Sequence, residues 1–141
     1  MKRLIAAMIL AAGIAAAQDA NQMHYLTLVP PSRAVAAITN AAVDVSAYKG
    51  NARLLADFEP NAEAGYVATV TFEHSANNTN FVTITNTAGA ACVITKSGAF
   101  TNSVPDGLSI DSRRLKKYVR AVVAQTGETN AVSAWIVFPM K

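Results

Sequence analysis

Residues 66–74 read YVATVTFEH. Tyr66, Ala68, Val70 and Phe72 fall on one side of an extended chain, and Thr69, Thr71 and Glu73 on the other. A period of two is the pattern of an antiparallel strand with one buried face and one wet face. The polar run SANNTN (75–80) makes a loop, and FVTIT (81–85) is placed to return beside the first strand. Upstream, ARLLADFE (52–59) stops at Pro60, and NAEAG turns the chain into YVATVTFEH. HYLTLV (24–29) ends at Pro30–Pro31, a pair that no central strand could contain. AVAAIT (34–39) and AVDVSAY (42–48) complete the first half.

Downstream come ACVITK (91–96) and GAFTNSV (98–104), then a Pro-Asp-Gly turn expected at 105–107. LKKYVRAVVA (115–124) and AVSAWIVF (131–138) follow, joined by QTGETN in what reads as a hairpin. Strands that recur about every 8–12 residues point to an all-β protein, an antiparallel β-sandwich of jelly-roll-like form with about 8–10 short strands. The length of 141 residues suits one domain. Only ten residues are aromatic, so Val, Ile, Leu and Ala must supply most of the core.

The N-terminus has a different character. Lys2 and Arg3 precede an apolar run from Leu4 to Ala17, and Ala15 and Ala17 offer small residues before Gln18. These are the three parts of a secretory signal peptide, with an apolar helix too short to span a bilayer comfortably. The expected organisation is a signal-peptide-like leader over 1–17, an N-terminal arm over 18–33 and a single β-sandwich domain over 34–141. No stable membrane span is expected once the leader is removed.

The charge is uneven. Residues 18–112 carry four basic and eight acidic side chains, and residues 113–141 carry six basic and one acidic. Five of the twelve Lys and Arg residues lie within RRLKKYVR, 113–120. On a strand, Val119, Ala121 and Val123 alternate with Tyr118, Arg120 and Val122, so the segment enters the core while its first half stays outside. A single-strand nucleic-acid groove would combine such cations with several stacking aromatics, and only Tyr118 is at hand. Nucleic acid is therefore not the expected partner. Arg113, Arg114, Lys116 and Lys117 are the candidate partner-binding residues, meeting water or an acidic surface of another subunit. Arg120, deeper in the strand, belongs with the fold.

No catalytic, metal-binding or cofactor-binding residue emerges, and no cofactor is expected. His74 and Ser75 are adjacent on a strand and point apart, so adjacency does not make them a base and nucleophile. Asp57 and Glu59 share a strand face and could hold a cation. A solvated strand edge before Pro60 explains them more simply. His24 and His74 lack ligand spacing, and Asp106 and Asp111 match no calcium loop. Cys92, the one cysteine, lies among small and β-branched residues and reads as core.

Three stretches together carry a family resemblance: AAVDVSAYKGNARLLADF, YVATVTFEHSANNTNFVTI, and GLSIDSRRLKKYVRAVVAQTGETNAVSAWIVFPMK. They resemble small structural proteins of tailed phages and prophages, of the capsid-decoration or tail-associated kind. The specific pieces are Val43-Asp44 with Tyr48-Lys49-Gly50, and Lys117-Tyr118-Val119-Arg120. The resemblance spans residues 34–141. It implies a non-enzymatic virion protein, a head-surface or head-stabilising component that contacts capsid or other virion proteins and copies of itself. The leader departs from that pattern, since virions assemble in the cytoplasm. A cleaved leader would instead fit a secreted or periplasmic β-sandwich that binds surface glycans or proteins.

Overall fold

The computed structural model describes residues 23–33, 37–103, 105–127 and 130–139. The leader expected over 1–17 lies outside them. The strands are Met23–Ser32 (β1), Ile38–Thr39 (β2), Val43–Asp44 (β3), Asn51–Phe58 (β4), Val67–Ser75 (β5), Val82–Thr83 (β6), Val93–Ser97 (β7), Asp106–Asp111 (β8), Tyr118–Thr126 (β9) and Val132–Pro139 (β10), with one 3₁₀ turn at Ser112–Arg114. They form two sheets. One is ordered β1-β10-β4-β8; the other is ordered β2-β9-β5-β6, with β3 also on β9 and β7 also on β5. Every pairing between these strands is antiparallel.

Alternation accounts for the core. Ala52, Leu54, Ala56 and Phe58 of β4 and Val132, Ala134, Ile136 and Phe138 of β10 point inward from the first sheet. Ala68, Val70 and Phe72 of β5 and Val119, Ala121 and Val123 of β9 meet them from the second, in one continuous cluster. The faces expected for YVATVTFEH and for the end of LKKYVRAVVA are the observed ones. Cys92 is buried in the same core, and burial pushes its thiol pKa upward.

Four local expectations differ from the structure. The strand expected over 24–29 does not end at Pro30–Pro31: as β1 it runs from Met23 to Ser32 at the sheet edge, with Leu28 and Val29 buried. It contains Pro30 and Pro31, which an edge can hold because one side of the strand needs no ladder partner. Its register with β10 shifts twice, between Thr27 and Val29 and between Val29 and Ser32.

The expected Pro-Asp-Gly turn is part of β8 instead. Gly107 stands opposite Leu55, where a Cβ would lie 2.5 Å from Leu55 Cδ2 and 3.3 Å from the Leu54 carbonyl oxygen. The glycine there permits close strand packing.

The described residues of GAFTNSV form no strand; Phe100 makes an isolated bridge to Asn61.

Finally, β9 and β10 are not a hairpin. β9 pairs with β5, β2 and β3, and β10 pairs with β1 and β4, so the chain changes sheets between them. Each strand is central and already has neighbours on both sides. The buried Gln125 amide closes this crossing: Nε2 donates to the Asn130 carbonyl (3.0 Å), and Oε1 accepts from the Asn130 N–H (3.2 Å) and the Tyr66 hydroxyl (3.0 Å).

A candidate interface at the basic end

The start of β9, the end of β8 and the loop after β3 meet at one end of the sandwich. β3 lies along β9, with Val43 opposite Val119 and Asp44 opposite Tyr118. The two pieces on which the family resemblance rests, about seventy residues apart, are therefore neighbours. The Val45 N–H donates to the Lys117 carbonyl at 2.8 Å and extends the pairing. Beyond it Tyr48 anchors the loop. Its ring stacks on Phe138 (centroids 4.8 Å apart, 18° between planes), and its hydroxyl shares a 2.7 Å hydrogen bond with His24 Nε2.

Charge is layered onto this frame. Asp44 Oδ1 accepts the Ser46 N–H at 2.9 Å, an Asx turn, and its other oxygen lies 3.5 Å from Lys117 Nζ. The Ser46 hydrogen bonds, with Lys117 adding to them, lower the Asp44 pKa. Asp111 caps the 3₁₀ turn: Oδ1 accepts the Arg113 N–H at 2.9 Å, and Oδ2 pairs with the Arg113 guanidinium at 2.6 Å. Those Arg113 hydrogen bonds lower the Asp111 pKa in turn. Arg114 donates to the Asn86 carbonyl at 3.1 Å. Lys116 presents its side chain to water, while its N–H donates to His74 Nδ1 at 3.3 Å. Burial, and then the Lys116 charge, hold the His74 pKa below its ordinary value.

The four candidate residues are thus brought together, but they are not equivalent. Arg113 and Lys117 have carboxylates of their own chain; Arg114 and Lys116 are held by backbone contacts. Lys49, absent from the expected set, joins them across a hollow of about 210 Å³ bounded by Val45, Tyr48, Leu115 and Lys116. Among the described residues, this end gathers Lys49, Arg113, Arg114, Lys116 and Lys117 against Asp44 and Asp111. Asp111 was legible in the sequence, since an Asp before Ser-Arg-Arg is an N-cap signal. Asp44 and Tyr48 were not, because nothing local says that β3 lies on β9.

The remaining candidates fall elsewhere. Arg120 is half-buried, with two guanidinium nitrogens on one Glu73 oxygen, Oε2 (2.8 and 2.7 Å), and lies 3.8 Å above the Phe81 ring, the fold role expected of it. Asp57 and Glu59 do not converge. Asp57 accepts from the Ser103 hydroxyl, whereas Glu59 pairs with Arg33 and accepts the Ala131 N–H at 2.9 Å. His74 and Ser75 point apart, and Ser75 donates to Asn77 at 2.8 Å. A second surface, the outer face of the four-stranded sheet, exposes Met23 and Tyr25 (62% accessible) near the half-buried Trp135 and Leu55. No helix among the described residues is long and apolar enough to cross a membrane.

No protein-family model and no curated protein sequence matches the chain. Several solved structures are similar to it in fold. VP2 of infectious bursal disease virus, in a subviral particle, shares 13% identity over 82% of this chain and 32% of its own, with a TM-score of 0.49. The SPBc2 prophage-derived protein YomS shares 13% identity over 82% of this chain and 93% of its own, with a TM-score of 0.47. The subunit of disulfide-linked Bacillus endospore appendage pili shares 10% identity over 86% and 91% of the two chains, with a TM-score of 0.39. The chain spans about a third of the length of the VP2 that it matches. Likeness at this level says nothing about function.

Proposed function

We propose that this chain is a non-enzymatic virion structural protein, a head-surface or head-stabilising component of a tailed phage or prophage, working through repeated contacts with capsid proteins and sister subunits. The observation that carries this reading is the basic end. The sequence pieces that resemble phage structural proteins are paired there, and their cations outnumber the carboxylates of their own chain. A surplus of exposed charge adds little to folding, since exposed ion pairs contribute about 0–1 kcal/mol each. It adds more to association, where contacts repeat. The strand order, β1-β10-β4-β8 facing β2-β9-β5-β6, supports a jelly roll, an architecture found in capsid and lectin domains alike. Architecture by itself does not choose between them.

The test is particle composition. Virions purified from the producing cells should contain the chain at the copy number of a repeated component, and its attachment to capsids should weaken as salt rises. Absence of the chain from every particle fraction would overturn the reading.

A second reading rests on a different observation, the aromatic outer face of the four-stranded sheet. Tyr25 and Trp135 offer ring surface on which the C–H faces of a sugar could pack, as an exported glycan-binding sandwich would need. Cleavage before Gln18 belongs to this reading. It predicts a mature chain starting at Gln18 by intact mass, and a change in Trp135 fluorescence on titration with host surface glycans. A full-length chain inside particles would reject it.

A further inference from the structure

The ends of the sandwich differ in charge, and the strands fix which residues lie at which end. Ser75 pairs with Tyr118 at one end of the β5–β9 ladder and Val67 with Thr126 at the other. A nine-residue strand places those ends about 27 Å apart. At the far end lie Asp57 and Asp106, on the last residues of β4 and the first of β8, together with Glu59 and Glu63. Glu63 is placed there by Gly127, where a Cβ would come within 2.7 Å of its carboxylate. Among the described residues, the far-end cations are Arg33, paired with Glu59, Lys96, paired with Asp106, and Arg53, whose guanidinium lies beside Gly107. Among the described residues, and leaving aside the internal Arg120–Glu73 pair, four carboxylates thus stand against three cations at the far end, and five cations against two carboxylates at the basic end.

The far end also has an apolar centre. At the far end, Pro60, Ala62, Ala99 and Phe100 line an open hollow of about 370 Å³. At the basic end the smaller hollow is mostly polar, with Ser46, Ser112 and the lysines beside Val45, Tyr48 and Leu115. An apolar centre inside a charged rim is the anatomy of a protein interface; the far end has both, and the basic end offers a charged rim of opposite sign.

We propose that the partner of the basic end is the far end of a second copy of this chain, so that subunits join head to tail along the strand direction. The inference deepens, and rests on, the reading of repeated subunit contacts. A two-fold dimer through either end would set like charges against each other. A head-to-tail contact sets opposite charges together, and it generates a ring or an open filament according to the rotation between subunits.

Sedimentation and native mass spectrometry of the purified chain test this. Wild-type protein should form concentration-dependent oligomers in about 0.1 M salt and fall to monomer in about 1 M, as the screening length drops from about 10 to about 3 Å. Arg114→Glu with Lys116→Glu should abolish self-association, and so should Asp57→Lys with Asp106→Lys. An equimolar mixture of the two variants should associate again, because every contact then joins a negative end to a positive one. Should either double reversal lower the melting temperature markedly, the neutral pairs Arg114→Gln/Lys116→Gln and Asp57→Asn/Asp106→Asn replace them. Each neutral pair should weaken association at least tenfold.

Wild-type protein that stays monomeric in low salt, or a mixture that fails to recover association, overturns the proposal. The two readings separate cleanly. Monomeric wild-type protein that still attaches to capsids would retain the virion role and remove the end-to-end contact. Self-association without particle attachment would do the opposite.

Discussion

Phe72 lies wholly inside the sandwich. It stands opposite Ala121 of β9, and its N–H donates to the Cys92 carbonyl at 3.1 Å. Phe72→Ala should cost about 3–5 kcal/mol, the sum of lost transfer energy and the cavity left behind. Urea denaturation measures it, and a loss under about 1 kcal/mol would mean that the side chain does not fill the core. His74 makes a second prediction. Its folded pKa is lowered, so below the ordinary histidine value of about 6.5 the unfolded chain takes up the proton first. The stabilisation is complete above that value. It is lost as pH falls toward the folded pKa. His74→Asn keeps an acceptor near the Lys116 N–H and removes the titration. Its melting temperature should fall less than that of wild type between pH 7 and pH 5. Parallel curves for the two proteins would show that His74 does not contribute.

At the scale of the element, the Gln125 amide ties the end of β9 to the approach to β10. Gln125 serves both backbone groups of Asn130 and the hydroxyl of Tyr66, all from a buried position. Gln125→Met has similar length and no polar atoms, so it orphans those partners. Each buried group left unsatisfied costs about 1–3 kcal/mol, so the variant should lose at least about 2 kcal/mol in chemical denaturation. Near-wild-type stability would mean that water replaces the amide and that the crossing needs no lock. Edges follow the same element-level reasoning. β1, at one border of its sheet, carries two prolines and two register shifts, which make it a poor template for pairing with another strand.

Across the whole molecule, nearly every strand pairing is distant in sequence. Tyr25 pairs with Val137, Val70 with Val123, and Arg53 with Ser109. Closing such long loops before any contact is gained slows folding. Refolding followed by Trp135 fluorescence should therefore take milliseconds to seconds, as in other sandwiches dominated by non-local pairings. Microsecond refolding would require a more local nucleus than this topology provides.

Strand identity and facing were legible along the chain because alternation is a local signal. Tyr66, Ala68, Val70 and Phe72 declare one buried face without reference to any partner. Local signals also set the limit. Pro105-Asp106-Gly107 has turn chemistry, yet Leu54 and Leu55 on the neighbouring strand decide that Gly107 belongs to β8. QTGETN has the length and polarity of a hairpin loop, yet β9 and β10 enter different sheets because each is already flanked by other strands. The candidate interface divides in the same way. Its cations were visible as a run at 113–117. Which of them spend their charge within the chain was not, because Asp44 reaches Lys117 only through the pairing of β3 with β9. Composition and periodicity determine which residues are buried and which are charged; long-range strand pairing, carried by no single segment, decides which of them meet.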